Sequence, residues 1–182
     1  VLTKAVDILN TIRDDFTVDV YSSTKIYGKK FEELEKGKFE PLYERIRNTK
    51  NMNYNDYAPN EVIRKELLKS HIFAYPSILE ETSCLSIIEA MAAGCYTITT
   101  NYGALPETCG EFATMIEYEP NADDLARRYA LVLNGVIDDY KDGKLNEDIE
   151  AQVKYYNKHY SWQTRIQEWR NFLNYVRANQ QT

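Results

Sequence analysis

Helix-period and strand-period segments take turns along this chain, and that alternation constrains its fold more than any other feature. Strands separated by helical segments cannot pair as tight hairpins. Each needs a crossover, so they build a parallel sheet with helices on its faces. Val6, Leu9 and Ile12 recur at helical spacing within Leu2 to Ile12, and Phe16 to Ser22 alternates its faces as a strand does. The charged stretch from Lys29 to Lys50 carries a sparse helical stripe of Phe31, Leu34, Phe39, Leu42 and Ile46. Asn51 to Tyr54 reads as a short strand. A helix is expected from Pro59 to about Ser70, with Val62, Ile63, Leu67 and Leu68 facing inward. Ile72 to Ser77 is expected as a buried strand that Pro76, having no N–H, terminates.

Punctuation is clearer in the second half. Cys84 to Ala93 reads as a helix, and Gly94 stands where a left-handed residue closes it. Strands follow at Tyr96 to Thr100 and Thr114 to Tyr118, and Asn121 is placed to cap a helix carrying Leu125, Tyr129, Leu131 and Val132. Asp138 to Asn146 reads as a polar break before helices at Glu147 to His159 and Ser161 to Ala178. The expected class is α/β: a Rossmann-like, doubly wound parallel sheet over residues 1–146, with residues 147–182 as helices packing back on it. Such a sheet opens on a central strand, whereas this chain opens on a helix. The first strand is therefore expected to be missing, which leaves a slot in the sheet unless another segment fills it.

Composition narrows the partners. With 28 acidic against 22 basic residues, the net charge of -6 repels nucleic-acid backbones, so no nucleic-acid role is expected. Cys84, Cys95 and Cys109 are odd in number and lack metal-ligand spacing, and His71 and His159 lie far apart. Neither a disulfide nor a zinc site is expected. No apolar run reaches membrane-spanning length and no secretory leader opens the chain, which points to a cytoplasmic location, with peripheral contact at a membrane surface left open.

The segment with chemistry is Pro76-Ser-Ile-Leu-Glu-Glu-Thr-Ser-Cys-Leu-Ser-Ile-Ile-Glu-Ala-Met-Ala-Ala-Gly94. A strand ends, a polar loop follows and a helix begins near Cys84. In a parallel sheet that junction lies at the carboxyl edge, where ligands bind. The first helical turn leaves N–H groups unpaired, and with the helix dipole they suit a diphosphate. Glu89 sits among Ile87, Ile88, Ala90 and Met91, so its carboxylate needs a partner: a ribose hydroxyl pair, a basic side chain or an amide. A solvated glutamate is the ordinary alternative for either acid alone.

The whole string resembles the signature of GT-B-fold retaining glycosyltransferases of the family 4 group, in which Pro-Ser precedes a Glu, seven residues and Glu-Ala-Met-Ala-x-Gly. Pro76-Ser77, Glu81, Glu89-Ala-Met-Ala and Gly94 fall in that register. Thr82-Ser83-Cys84 replaces the family's frequent Gly-Phe-Gly, and Ser83 is a candidate helix cap or hydroxyl donor. Lys4-Ala-Val-Asp-Ile-Leu9 is similar to Lys-Gly-x-Asp-x-Leu, and Asn101-Tyr-Gly-Ala-Leu-Pro-Glu107 to Gly-Gly-x-Pro-Glu with Tyr102 in place of one glycine. Tyr160-Ser-Trp162 resembles the terminal Ser-Trp, after which the helix packs back toward an acceptor domain; Trp162 and Trp169 as plain core residues is the alternative.

The resemblance implies the C-terminal, donor-binding domain of a two-domain enzyme whose N-terminal partner domain lies outside this chain. It implies a nucleoside-diphosphate sugar as donor, with retention of anomeric configuration. The diphosphate would rest on amides near Ser83, Cys84 and Leu85, assisted by Lys4 and by an arginine that would precede Val1. Glu89 would hold the ribose hydroxyls, Glu81 would act at the transferred sugar as the catalytic carboxylate, and Gly103 would line the donor site. The base would lie near Asn53 to Tyr57. No cofactor and no metal are expected: Asp14-Asp15, Asp123-Asp124 and Asp138-Asp139 read as a turn, a helix start and a surface loop. Competing readings are a nucleotide-sugar epimerase of similar architecture and a non-catalytic binding or assembly domain. A dinucleotide-binding Rossmann domain is disfavoured, since no Gly-x-Gly-x-x-Gly follows a strand.

Overall fold

In a computed structural model describing residues 1–180, the elements run α1 (Leu2–Leu9), β1 (Val18–Val20), a 3-10 turn (Thr24–Tyr27), α2 (Lys29–Asn48), β2 (Met52–Tyr54), α3 (Asn60–Leu67) and β3 (Ile72–Tyr75). They continue with α4 (Leu85–Ala93), β4 (Tyr96–Thr100), α5 (Leu105–Cys109), β5 (Ala113–Ile116), α6 (Ala122–Lys141), α7 (Asn146–His159) and α8 (Trp162–Asn179). All strand pairs are parallel, as crossover connections require.

The strands form two sheets rather than one. β1 pairs with β2, Val18 opposite Met52, while β3, β4 and β5 pair in that order, Ile72 opposite Tyr96 and Thr97 opposite Ala113. Among the described residues no strand ladder joins the sheets, so β1 and β3 each keep one edge without a strand partner. This is the break expected of a doubly wound sheet without its central strand.

α1 bridges the two parts. Ala5 and Leu9 are fully buried against Ile98, Leu125 and Tyr129, whereas Val6 is buried against Tyr43, Ile46 and Met52. Leu2 and Phe16 pack on both clusters. Arg13, just beyond α1, donates to the Asn134 carbonyl at 3.1 Å and to Asp138 at 2.8 Å, which runs α1 alongside α6 in the same direction. A third cluster, Cys84, Ile87, Met91, Leu105, Cys109 and Tyr156, seats α4 between α5 and α7.

Several expectations need correction. α6 runs through Asp138-Asp139 to Lys141, because Val136 and Ile137 are buried and hold the helix on the core; these aspartates lie on a helix, not in a loop. Val62 and Leu68 are exposed rather than inward, since α3 covers the core with one side only. β3 is half-buried throughout, as befits an edge strand. α5 and the 3-10 turn had no periodic signal, being too short to show one. Trp162 and Trp169 are 80% and 62% exposed, and α8 has no buried residue, so neither tryptophan belongs to this core.

Candidate functional site

Three loops leave the carboxyl ends of β3, β4 and β5 and are laced together. Ala104 N–H donates to the Glu81 carbonyl at 2.8 Å, and Tyr118 N–H donates to the Asn101 side-chain oxygen at 2.8 Å. Tyr102 and Tyr118 stack with ring centroids 4.0 Å apart. Gly103, at φ +60°, lets the second loop lie against the Glu80–Glu81 backbone. Below the loops, the threonines of β4 fix the end of β3: Thr99 donates to the Tyr75 carbonyl and Thr100 to the Ser77 carbonyl, each at 2.8 Å. Ser77 in turn accepts from Leu79 N–H at 3.2 Å. The Glu81 loop is thus built on a hydrogen-bonded base.

The tip of α4 faces outward. Its N-cap is Cys84, not Ser83, and no side chain caps it. Among the described residues, nothing accepts from the amides of Ser83, Cys84 and Leu85, and Ser83 and Leu85 are exposed. These N–H groups and the helix dipole favour an anion there. The Cys84 thiol points inward; burial pushes its pKa up, an effect opposed by the nearby Ile87 and Ser86 amides. Burial likewise pushes Cys95 up to about 11 and Cys109 to about 12, so none of the three thiols is an activated nucleophile.

The two glutamates have different partners. Glu81 accepts from the Tyr75 hydroxyl at 2.8 Å; burial, then this bond, pushes the Tyr75 pKa up. Glu89 lies on the second turn of α4, four residues after Leu85 and on the same exposed side, with Arg64 of α3 donating to it at 3.3 Å. Lys4 is held by Asp123 at the start of α6, lowering the Asp123 pKa, and lines a cavity of about 280 Å³ with Asp7, Arg45 and Arg127. Since α1 and α6 run together, that cavity opens near the end of α6 that follows β5, but it includes neither glutamate.

No group of three or more potential ligands gathers as a metal centre among the described residues. Asp15 is engaged by Arg13 and Lys141, and Asp124 by Arg127. Sequence reasoning missed Arg64, Tyr75, Thr99 and Thr100. The Thr-Ile-Thr-Thr run was a usable signal, because buried hydroxyls near the end of a central strand need acceptors, and the neighbouring segment's carbonyls supply them to Thr99 and Thr100.

The phosphatidylinositol N-acetylglucosaminyltransferase gpi3 subunit of Schizosaccharomyces pombe is 33% identical over 104 residues, 57% of this chain and 21% of that protein. A phosphatidylinositol N-acetylglucosaminyltransferase component from Arabidopsis thaliana is 35% identical over 70 residues, 38% of this chain and 15% of that protein. The chain thus spans about a fifth or less of the curated relatives it matches. A glycosyltransferase structure from Rickettsia africae superposes with a TM-score of 0.68 over 94% of this chain and 42% of that one, at 18% identity, which establishes the shared fold. No helix among the described residues is long and apolar enough to cross a membrane. Residues 18–154 match the family model of glycosyl transferases group 1, and the chain belongs to that family.

Proposed function

We propose that this chain is the donor-binding half of a retaining glycosyltransferase that moves a hexose from a nucleoside diphosphate to a glycan, lipid or protein acceptor. The observation that carries this reading is the uncapped tip of α4, open at Ser83 and Leu85, standing at the carboxyl edge between Glu81 and Glu89. The diphosphate rests on the tip amides, where fixed N–H dipoles stabilise the charge that grows as the sugar–phosphate bond breaks. No metal is invoked for that role. Lys4 joins by exchanging Asp123 for phosphate. Glu89 accepts from the ribose hydroxyls, while Glu81, oriented by Tyr75, accepts from hydroxyls of the transferred sugar and offsets positive charge at its anomeric carbon. The acceptor and the groups across the cleft belong to another domain. The names of the two curated relatives favour N-acetylglucosamine as the sugar and a phosphatidylinositol lipid as acceptor, which would place the enzyme at a membrane surface.

Titration calorimetry of the chain with UDP, UDP-N-acetylglucosamine, UDP-glucose and GDP-mannose tests this. Glu89→Gln is expected to weaken the free nucleotide and the nucleotide sugar alike, by about tenfold. Glu81→Gln should weaken only the nucleotide sugar, since UDP lacks the group Glu81 addresses. Absence of heat with every nucleotide sugar would sink the assignment. Cys84 is buried at a position where the family often has glycine, which keeps a non-catalytic binding domain as the second reading. That reading gains if Glu81→Gln leaves affinity for every donor unchanged.

A further inference from the structure

Arg64 is the one described hydrogen-bonding partner of Glu89, with its guanidinium 3.3 Å from the carboxylate. It comes from the last turn of α3, the helix that follows the loop beyond β2, and reaches α4 on its open side. Leu85, Glu89 and Arg64 form a line running from the free amides of the α4 tip across the exposed side of that helix. Leu85 is 73% exposed, and the Glu89 and Arg64 side chains are 41% and 63% exposed. An ion pair this open contributes little to folding, about 0–1 kcal/mol. Its effect on the direction of the carboxylate is larger. A glutamate on a helix surface samples several rotamers, and a guanidinium donor on the neighbouring helix selects the one that leans toward α3. The second carboxylate oxygen stays open to accept from another donor.

We propose that Arg64 is a positioning residue for ribose recognition: it holds the Glu89 carboxylate so that its free oxygen meets the vicinal hydroxyls of the bound nucleotide. This rests on Glu89 being the ribose-binding carboxylate. Recognition of the vicinal diol is then a property of the α3–α4 pair rather than of α4 alone, and it is specific to a donor whose ribose is unmodified.

The test compares UDP with 2′,3′-dideoxy-UDP, and GDP with its dideoxy analogue, by calorimetry on the wild-type chain and on Arg64→Gln, Arg64→Lys and Glu89→Gln. The ratio of the two affinities cancels any general loss of folded protein or of diphosphate binding. Wild type is expected to prefer the ribonucleotide by about tenfold, the worth of one well-placed charge-assisted contact. Glu89→Gln and Arg64→Gln should both lower that preference to about threefold or less, with most of it restored in Arg64→Lys, which keeps the charge. If Glu89→Gln erases the preference while Arg64→Gln retains it, the role of Arg64 is overturned and the ribose role of Glu89 stands. If Glu89→Gln leaves the preference at the wild-type value, or wild type shows none, the ribose role itself fails and the proposal with it.

Discussion

Gly103 holds φ at +60°, and a Cβ there would lie 2.7 Å from both the backbone nitrogen and the carbonyl oxygen of Glu81. Two independent penalties meet at this residue: the left-handed backbone disfavours any side chain, and the contact is with main chain, which cannot rotate away. Gly103→Ala is therefore expected to destabilise the domain by about 2 kcal/mol or more, measured by urea unfolding. It should also weaken nucleotide-sugar binding, because relief of the clash displaces Glu81. A variant with wild-type stability and affinity would show that the loops do not meet in solution. Glycine at this point was legible in the sequence as part of a turn, whereas the closeness of Glu81, across twenty-two positions, was not. Glu89 shows the same division. Its apolar neighbours announced a carboxylate in need of a partner, but only the packing of α3 against α4 named Arg64.

At the scale of elements, local punctuation placed boundaries well. Gly94 adopts φ +94° and closes α4, and the Asn121 side chain accepts from the Asp123 and Asp124 amides at the start of α6. α7 and α8 then look alike in sequence yet behave differently. Gln152 and Tyr156 of α7 are buried, Gln152 donating to the Met91 carbonyl at 2.9 Å and Tyr156 to the Thr108 carbonyl at 2.6 Å. α8 buries nothing and leaves Trp162, Trp169, Phe172 and Leu173 exposed. Ending the chain at Tyr160 is accordingly expected to shift the thermal midpoint by less than about 4 °C in a calorimetric scan. A larger fall would show that α8 supports this domain after all. An apolar helical stripe declares that a helix has a face to cover; it does not say which surface covers it.

For the whole molecule, the division into two sheets sets the pattern of stability. β4 has a strand on each side and its own threonines are fully buried, while β1 and β2 have only each other as strand partners. α1, through Leu2, Val6 and Leu9, is the main apolar tie between the halves. Native-state hydrogen exchange should show amides of β4 protected at least about tenfold more than those of β1 and β2, a difference of about 1.4 kcal/mol in opening free energy. Equal protection would mean that the parts open as one unit.

The order of the five strands and of the longer helices, the parallel class of the sheet and the location of Glu81 and Glu89 at the start of one helix were all present in the sequence. Those features depend on period, caps and turn residues, whose influence spans only a few positions. Tertiary structure alone decided that Arg64 meets Glu89 across 25 positions, that Lys4 meets Asp123 across 119, and that the α4 tip stays open while α8 stays bare. Such pairings are fixed by how crossovers stack helices on a shared sheet, and nothing in the local chemistry of either partner encodes the distance between them.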